Sequence, residues 1–306
     1  MTNLTTNAPK FEWIDLDPGS SFRWHVHDFP CEVAHWNHHP ECEIHRIRNT
    51  SGVATVGDHL SQYQPGYLVL VGPNLPHNWV PNLRRGEIAA DDHVVLQFQA
   101  ERFAEAADVL PEFAAISSLI ERSKRGVVFH GEAERCGGEI LEKIGQQSGL
   151  IRLSLMLELL QVLAETAEYT ILSSHDYVPN LDPRVQDALA TVMQYVYDNL
   201  TDNVRLSAAA RLVDMTEPTF SRFFKRNMKS TFVEYVRKLR VAKACELLSD
   251  TSLQITDICY ESGYQNLSNF NRRFLAEKGV PPTKYRQLLL HARGDEAINQ
   301  QATVNN

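Results

Sequence analysis

Twelve residues near the N-terminus, HWNHHPECEIHR from His35 to Arg46, hold four histidines and two glutamates. Imidazoles and carboxylates either ligate divalent metals or hydrogen-bond a polar solute, so the stretch marks a pocket in both cases. On a strand, alternate side chains share a face. That groups Glu43, His45 and Ile47 on one side and Ile44, Arg46 and Arg48 on the other, and only one set can line a cavity. His38 and His39, being adjacent, point to opposite sides. His77 and Trp79 follow in PGYLVLVGPNLPHNW, and Trp36 or Trp79 can supply a flat apolar wall. A cavity lined by Trp36, His39, Glu43, His45, His77 and Trp79 suits a small-molecule effector such as a sugar or polyol. The set His39, Glu43 and His77 is also a feasible metal triad, and histidines satisfied within a core are a third reading.

A second group of reactive side chains lies far downstream. TFSRFFKRNMKSTFVEYVR and SNFNRRFLAEKGVPPTKYR form a weak repeat that pairs Phe220 with Phe270, Arg222 with Arg272, Phe224 with Phe274 and Tyr235 with Tyr285. Upstream, LSAAARL pairs with ITDICYE at a spacing one residue shorter, so the second unit has one more residue in its turn. Each unit has the parts of a helix-turn-helix: a short helix with a small residue inside (Ala210, Cys259), a corner, and a second helix bearing arginine. Gly263 and Asp214 stand at the corners, where positive φ is needed. Thr216 and Asn266 can cap the helices that follow. Phenylalanines at i, i+4 face inward, leaving the arginines outward, where they can bond guanine bidentately or pair with phosphate. The segment FVEYVRKLRVAKACELLSD between the units reads as one amphipathic helix holding them at a fixed separation.

Positioning these residues takes more than one core, since 306 residues suit two domains. Residues 22 to 98 read as short strands separated by Gly, Pro, Asn or Asp, a sandwich or barrel. Beyond residue 101 the period is helical, and residues 151 to 167 carry an apolar face wide enough for several neighbours, a second copy of the chain among them. SSHDYVPNLDPR has the composition of a linker. Charge is divided unevenly: the net of -8 conceals a stretch from 183 to 293 with 17 Lys and Arg against 11 Asp and Glu, fit for a polyanion. Five scattered cysteines form no CxxC pair and read as buried free thiols. The N-terminus lacks a secretion signal and no apolar run is long enough to cross a membrane, which points to the cytoplasm.

ITDICYESGYQNLSNFNRRFLAEKGVPPTKYR resembles the signature of the AraC/XylS transcription regulators, in which two helix-turn-helix units flank a linker helix. Ile258, Gly263, Tyr264, Phe270, Arg272, Phe274, Gly279, Pro281, Pro282, Tyr285 and Arg286 fit its pattern. The resemblance covers about 110 residues and implies double-stranded DNA and RNA polymerase as partners. The DNA contacts it implies are Thr216, Pro218, Ser221, Arg222 and Arg226 from the first unit, and Gln265, Asn266, Ser268, Asn269, Arg272 and Arg273 from the second. Pro218 and Asp214 depart from the family pattern, and Pro218 has no side-chain donor. WNHHPECEIH followed by PGYLVLVGPNLPHNW resembles the two motifs of the cupin barrel, with Asn37 where a metal-binding cupin has its first histidine.

The expected protein is therefore α+β: a cupin-like β-barrel and helical hairpin for effector binding and homodimerisation (1–172), a linker (173–184), an all-α AraC-type DNA-binding domain with two helix-turn-helix units joined by a linker helix (185–293), and a disordered tail (294–306). The expected function is a ligand-responsive regulator, an activator of a carbohydrate or polyol catabolic operon, with no catalytic residues, resident metal or cofactor. The competing expectation is a cupin-type metalloenzyme with a helical appendage.

Overall fold

The computed structural model describes Ile14 and residues 20–31, 35–83 and 86–290. The expected tail 294–306 lies outside the described residues, as do residues 291–293 of the expected DNA-binding segment. The chain divides into two units, Met1–Gln194 with Arg222–Ser230, and Tyr195–Ser221 with Thr231–Asn306.

In the first unit, short β-prone runs become β1 (Phe22–Phe29), β2 (Cys42–Ile47), β3 (Gly52–Val56), β4 (His59–Tyr63), β5 (Leu68–Val71), β6 (His77–Pro81), β7 (Ala89–Phe98), β8 (Val127–Phe129) and β9 (Tyr169–Ile171). They form two antiparallel sheets, β1-β7-β2-β5-β8-β9 and β4-β3-β6. Among the described residues the sheets share no strand pairing, and a single isolated bridge joins Asn37 to His77. The strand region is thus two sheets rather than a closed barrel.

Alternation along the strands makes the larger sheet two-faced. Ile44, Leu68, Leu70, Val94 and Leu96 pack in one core with residues of α2 (Ala114–Ser123), α3 (Gly131–Ile144) and α4 (Gly149–Glu165), after α1 (Ala100–Ala107). The other face contributes Ile47, Val69 and Val71 to a second core with Ala54, Val56 and Trp79 of the smaller sheet. Much of the wide apolar surface of α4 is consumed within the chain, through Met156, Leu159, Leu160 and Leu163, while Leu150 and Ile151 at its start stay exposed. Arg46 points to the helical side, where Gly138 leaves room for it: a Cβ there would lie 1.8 Å from the guanidinium. Cys42, Cys245 and Cys259 are buried thiols as expected, but Cys31 and Cys136 are half-buried.

The linker residues carry no regular element up to α5 (Pro183–Asp198), which opens with proline in its first turn. Beyond it lie α6 (Leu206–Leu212), α7 (Glu217–Met228), α8 (Phe232–Asp250), α9 (Ile255–Glu261) and α10 (Leu267–Lys278), and residues 282–290 are again helical. α8 begins with a capping box between Thr231 and Glu234. It is less one-sided than its sequence suggests. Phe232 stacks edge-on with Phe220 (5.3 Å between centroids), whereas Val241, Ala244, Leu247 and Leu248 enter a core with Ile258, Cys259, Phe270 and Phe274. A strut that anchors a core near each end must be apolar on more than one face.

Candidate effector pocket and nucleic-acid interface

Strand register assembles the polar pocket of the first unit. β7 lies between β1 and β2, with His27 opposite His93, His25 opposite Val95, Glu43 opposite Gln97 and His45 opposite Val95. One face of three strands therefore presents His25, His27, His93, Gln97, Glu43 and His45 together. β6 brings His77 and Trp79 to them, with the rings of His45 and Trp79 5.1 Å apart. The cavity so lined has a volume of about 30 Å³, room for one or two waters or an ion as it stands.

Glu43 organises the site. Its Oε2 accepts hydrogen bonds from His39 Nε2 at 3.1 Å and Gln97 Nε2 at 2.9 Å, and its Oε1 accepts from His45 Nδ1 at 2.8 Å, with His77 Nε2 at 3.7 Å. Burial pushes the carboxyl up, but the His39 and His45 bonds outweigh it and hold Glu43 well below the usual carboxylate range. Burial drives three of the imidazoles the other way. His77 falls to about 4, His45 also falls, and His93 falls to about 2.

Of the six residues singled out in the sequence, Glu43, His45, His77 and Trp79 line this cavity. His39 stands behind Glu43, its ring 5.2 Å from that of His77, and half-exposed His38 does not share its burial. Trp36 is not a wall of the cavity, because its indole N–H donates to Gln186 Oε1 at 2.7 Å. His27, His93 and Gln97 escaped notice. The signal was present as His-x-His in β1 and His-x-Val-x-Gln in β7, polar residues at alternate positions, but their convergence depends on β7 pairing with both neighbours.

The second group of candidate residues sits on two helix pairs with matching corners. In α6–α7 the Met215 amide donates to the Ala210 carbonyl at 2.9 Å, and Asp214 has φ +52°. In α9–α10 the Tyr264 amide donates to the Cys259 carbonyl at 3.0 Å, and Gly263 has φ +87°. Gly263 is further constrained: a Cβ would lie 2.4 Å from the Leu200 carbonyl oxygen, to which Arg240 Nε donates at 3.0 Å. Asn266 Oδ1 caps α10 by accepting from the Asn269 amide at 3.0 Å, and Asn269 Oδ1 in turn accepts from Arg272 at 3.2 Å. Thr216 does otherwise, its hydroxyl donating to that of Thr219 at 3.0 Å.

Phe220, Phe224, Phe270 and Phe274 are fully buried. Thr216, Pro218, Ser221, Arg222 and Arg226 are exposed, as are Gln265, Asn266, Ser268, Asn269, Arg272 and Arg273. Arg286 is spent on structure, donating to the carbonyls of Leu248 at 3.3 Å and Leu253 at 2.7 Å.

Helix pairs of this build define the class of helix-turn-helix DNA-binding proteins. The family model described as a helix-turn-helix domain matches residues 209–288. The chain is 28% identical over 98 residues to the HTH-type transcriptional activator AarP of Providencia stuartii, covering 32% of this chain and 73% of that protein. It is 31% identical over 116 residues to the transcriptional activator RhrA of Rhizobium meliloti (strain 1021), covering 36% and 37%. It is 24% identical over 116 residues to the melibiose operon regulatory protein of Escherichia coli (strain K12), covering 38% of each. The match thus spans well under half of the latter two relatives. Residues 209–288 are accordingly similar to a helix-turn-helix domain, and the relatives they align with are named as transcription regulators. Among the described residues no helix is long and apolar enough to cross a membrane.

Proposed function

We propose that this chain is a ligand-responsive, DNA-binding transcription regulator of the cytoplasm, and not an enzyme. α6–α7 and α9–α10 are its two helix-turn-helix units. Joined by α8, they place α7 and α10 in successive major grooves on one side of a duplex, about 34 Å apart. The observation that carries this reading is the duplicated corner: the same closing hydrogen bond and the same positive φ, each followed by a helix with buried phenylalanines and an exposed arginine, Arg222 or Arg272. The chain forms a homodimer through α4 and acts on RNA polymerase as an activator.

Glu43, His45, His77 and Trp79, with His39 behind them, form the pocket of the effector, a sugar or polyol. Its support is the mixture of carboxylate, imidazole, carboxamide and indole around one cavity, and the name of the relative that regulates a melibiose operon. Entry of a sugar ring into about 30 Å³ requires side chains at the mouth to move. A cupin-like character for residues 1–172 accords with the two sheets and with His77 Nε2 lying 3.7 Å from Glu43 Oε1.

Gel shift with DNA from upstream of the protein's own gene tests the central claim. A sequence-preferring complex is expected, weakened by Arg222→Ala and Arg272→Ala; no sequence preference at moderate salt, with or without effector, overturns it. A thermal-shift screen of sugars and polyols against the full chain tests the effector class, since a selective ligand raises the melting temperature of the unit that binds it.

A further inference from the structure

We infer that His27, His45 and His93 form a binding site for a divalent transition-metal ion, distinct from the His39, Glu43 and His77 group that the sequence suggests. One ligand nitrogen from each of the three lies within 4.8 Å of the others, and ring centroids are 4.9 Å apart for His27 and His93 and for His45 and His93. Tetrahedral zinc needs ligand nitrogens about 3.3 Å apart, so small rotations of side chains close the site.

Proton placement supplies the stronger reason. His45 Nδ1 donates to the Glu43 carboxylate at 2.8 Å, which leaves the lone pair on its Nε2. That lone pair faces His93 Nδ1 at 2.8 Å. If His93 carried its proton on Nδ1, its buried Nε2, which has no hydrogen-bond partner, would turn a lone pair toward the Asp92 carboxylate 3.9 Å away. Without a metal, His93 Nδ1–H donates to the His45 lone pair; a cation displaces this proton to Nε2, which lies on the side of the Asp92 carboxylate, and the two lone pairs then converge on the ion. His27 supplies the third, because its Nδ1 donates to the Asp28 carbonyl at 2.9 Å and frees Nε2. His45 is thus backed by the Glu43 carboxylate and His27 by the Asp28 carbonyl, as in carboxylate–histidine–metal arrangements, while the Asp92 carboxylate lies 3.9 Å behind His93. Three neutral nitrogens select zinc, cobalt, nickel or copper over calcium or magnesium. The remaining coordination positions open into the cavity already described, for water or an oxygen of a bound solute.

The test titrates the chelator-stripped full chain with Co²⁺, read by visible absorption, and with Zn²⁺ by equilibrium dialysis, and it is independent of any DNA measurement. One equivalent of metal is expected. His27→Gln and His93→Gln are expected to weaken binding by at least roughly 100-fold, while His39→Gln and His77→Gln stay within about tenfold of the parent. Melting curves in chelator confirm that each variant is folded. Should His93→Gln fail to fold, half-buried His27 provides the reading. No stoichiometric metal on the folded parent overturns the inference, as does loss in the His39 and His77 variants with retention at His27 and His93, or equal loss in all four.

Discussion

Replacing Glu43 by glutamine changes one buried carboxylate oxygen into an amide and nothing else in size. The carboxylate accepts from His39, Gln97 and His45 at 3.1, 2.9 and 2.8 Å. Its position well below the usual carboxylate range means that these bonds outweigh the cost of burying the charge. Hydrogen bonds to an ionised acceptor contribute about 1.5–3 kcal/mol and neutral ones about 0.5–1.5 kcal/mol, so each of the three loses about 1 kcal/mol, and relief of desolvation returns part of the sum. The expected net loss is about 1–3 kcal/mol, a fall of roughly 3–10 °C in the melting temperature of the strand-bearing unit. The amide oxygen can keep His39 and Gln97, which turns its NH₂ toward His45 Nδ1. His45 must then move its proton to Nε2 and cannot ligate a metal through that atom. Thermal unfolding of Glu43→Gln in chelator at neutral pH, followed by tryptophan fluorescence, measures the first effect. Unchanged or raised stability would refute the reasoning, because it would show that the ionised carboxylate does not hold His39, His45 and Gln97 together.

Arg222→Ala and Arg272→Ala are each expected to cost about 1–3 kcal/mol of binding to the preferred site if the side chain reads a base, and to lower the salt slope by about 1 with no change in sequence preference if it meets phosphate; gel shifts at several salt concentrations separate the two. Asn266→Ala removes the cap of α10 and should cost about 1 kcal/mol in urea unfolding, whereas Thr216→Ala, whose hydroxyl serves Thr219 rather than a helix amide, should stay within about 0.5 kcal/mol. Acid should loosen the strand-bearing unit in metal-free protein. His77 falls from 6.5 to about 4 on folding, so its contribution is complete above pH 6.5 and is lost as pH falls toward 4, about 3 kcal/mol in all. Unfolding midpoints of His77→Gln should show a flatter acid limb than those of the parent, and an identical limb would count against the assignment.

The helix-turn-helix region was legible because its information is local. The i, i+4 phenylalanines, the small residues at 210 and 259, the corners at 214 and 263 and the cap at 266 act within a few residues of themselves, so two copies in one sequence expose the pattern. The pocket was half legible. Glu43 and His45 share a strand face by a rule of period two, and that face does line the cavity. Trp36 misled, since a tryptophan beside histidines resembles a pocket wall while its indole is committed to a glutamine 150 residues away.

The sequence by itself determined the helix pairs, the strut between them, the alternation that makes each strand two-faced, and the charge split along the chain. These follow from backbone geometry and side-chain type at short separations. Tertiary structure alone decided that β7 runs between β1 and β2, and with it that His27, His93 and Gln97 meet Glu43 and His45. Strand pairing across 46 to 76 residues is selected by the burial of whole faces against each other, a property of the packed sheets that no stretch of residues carries alone.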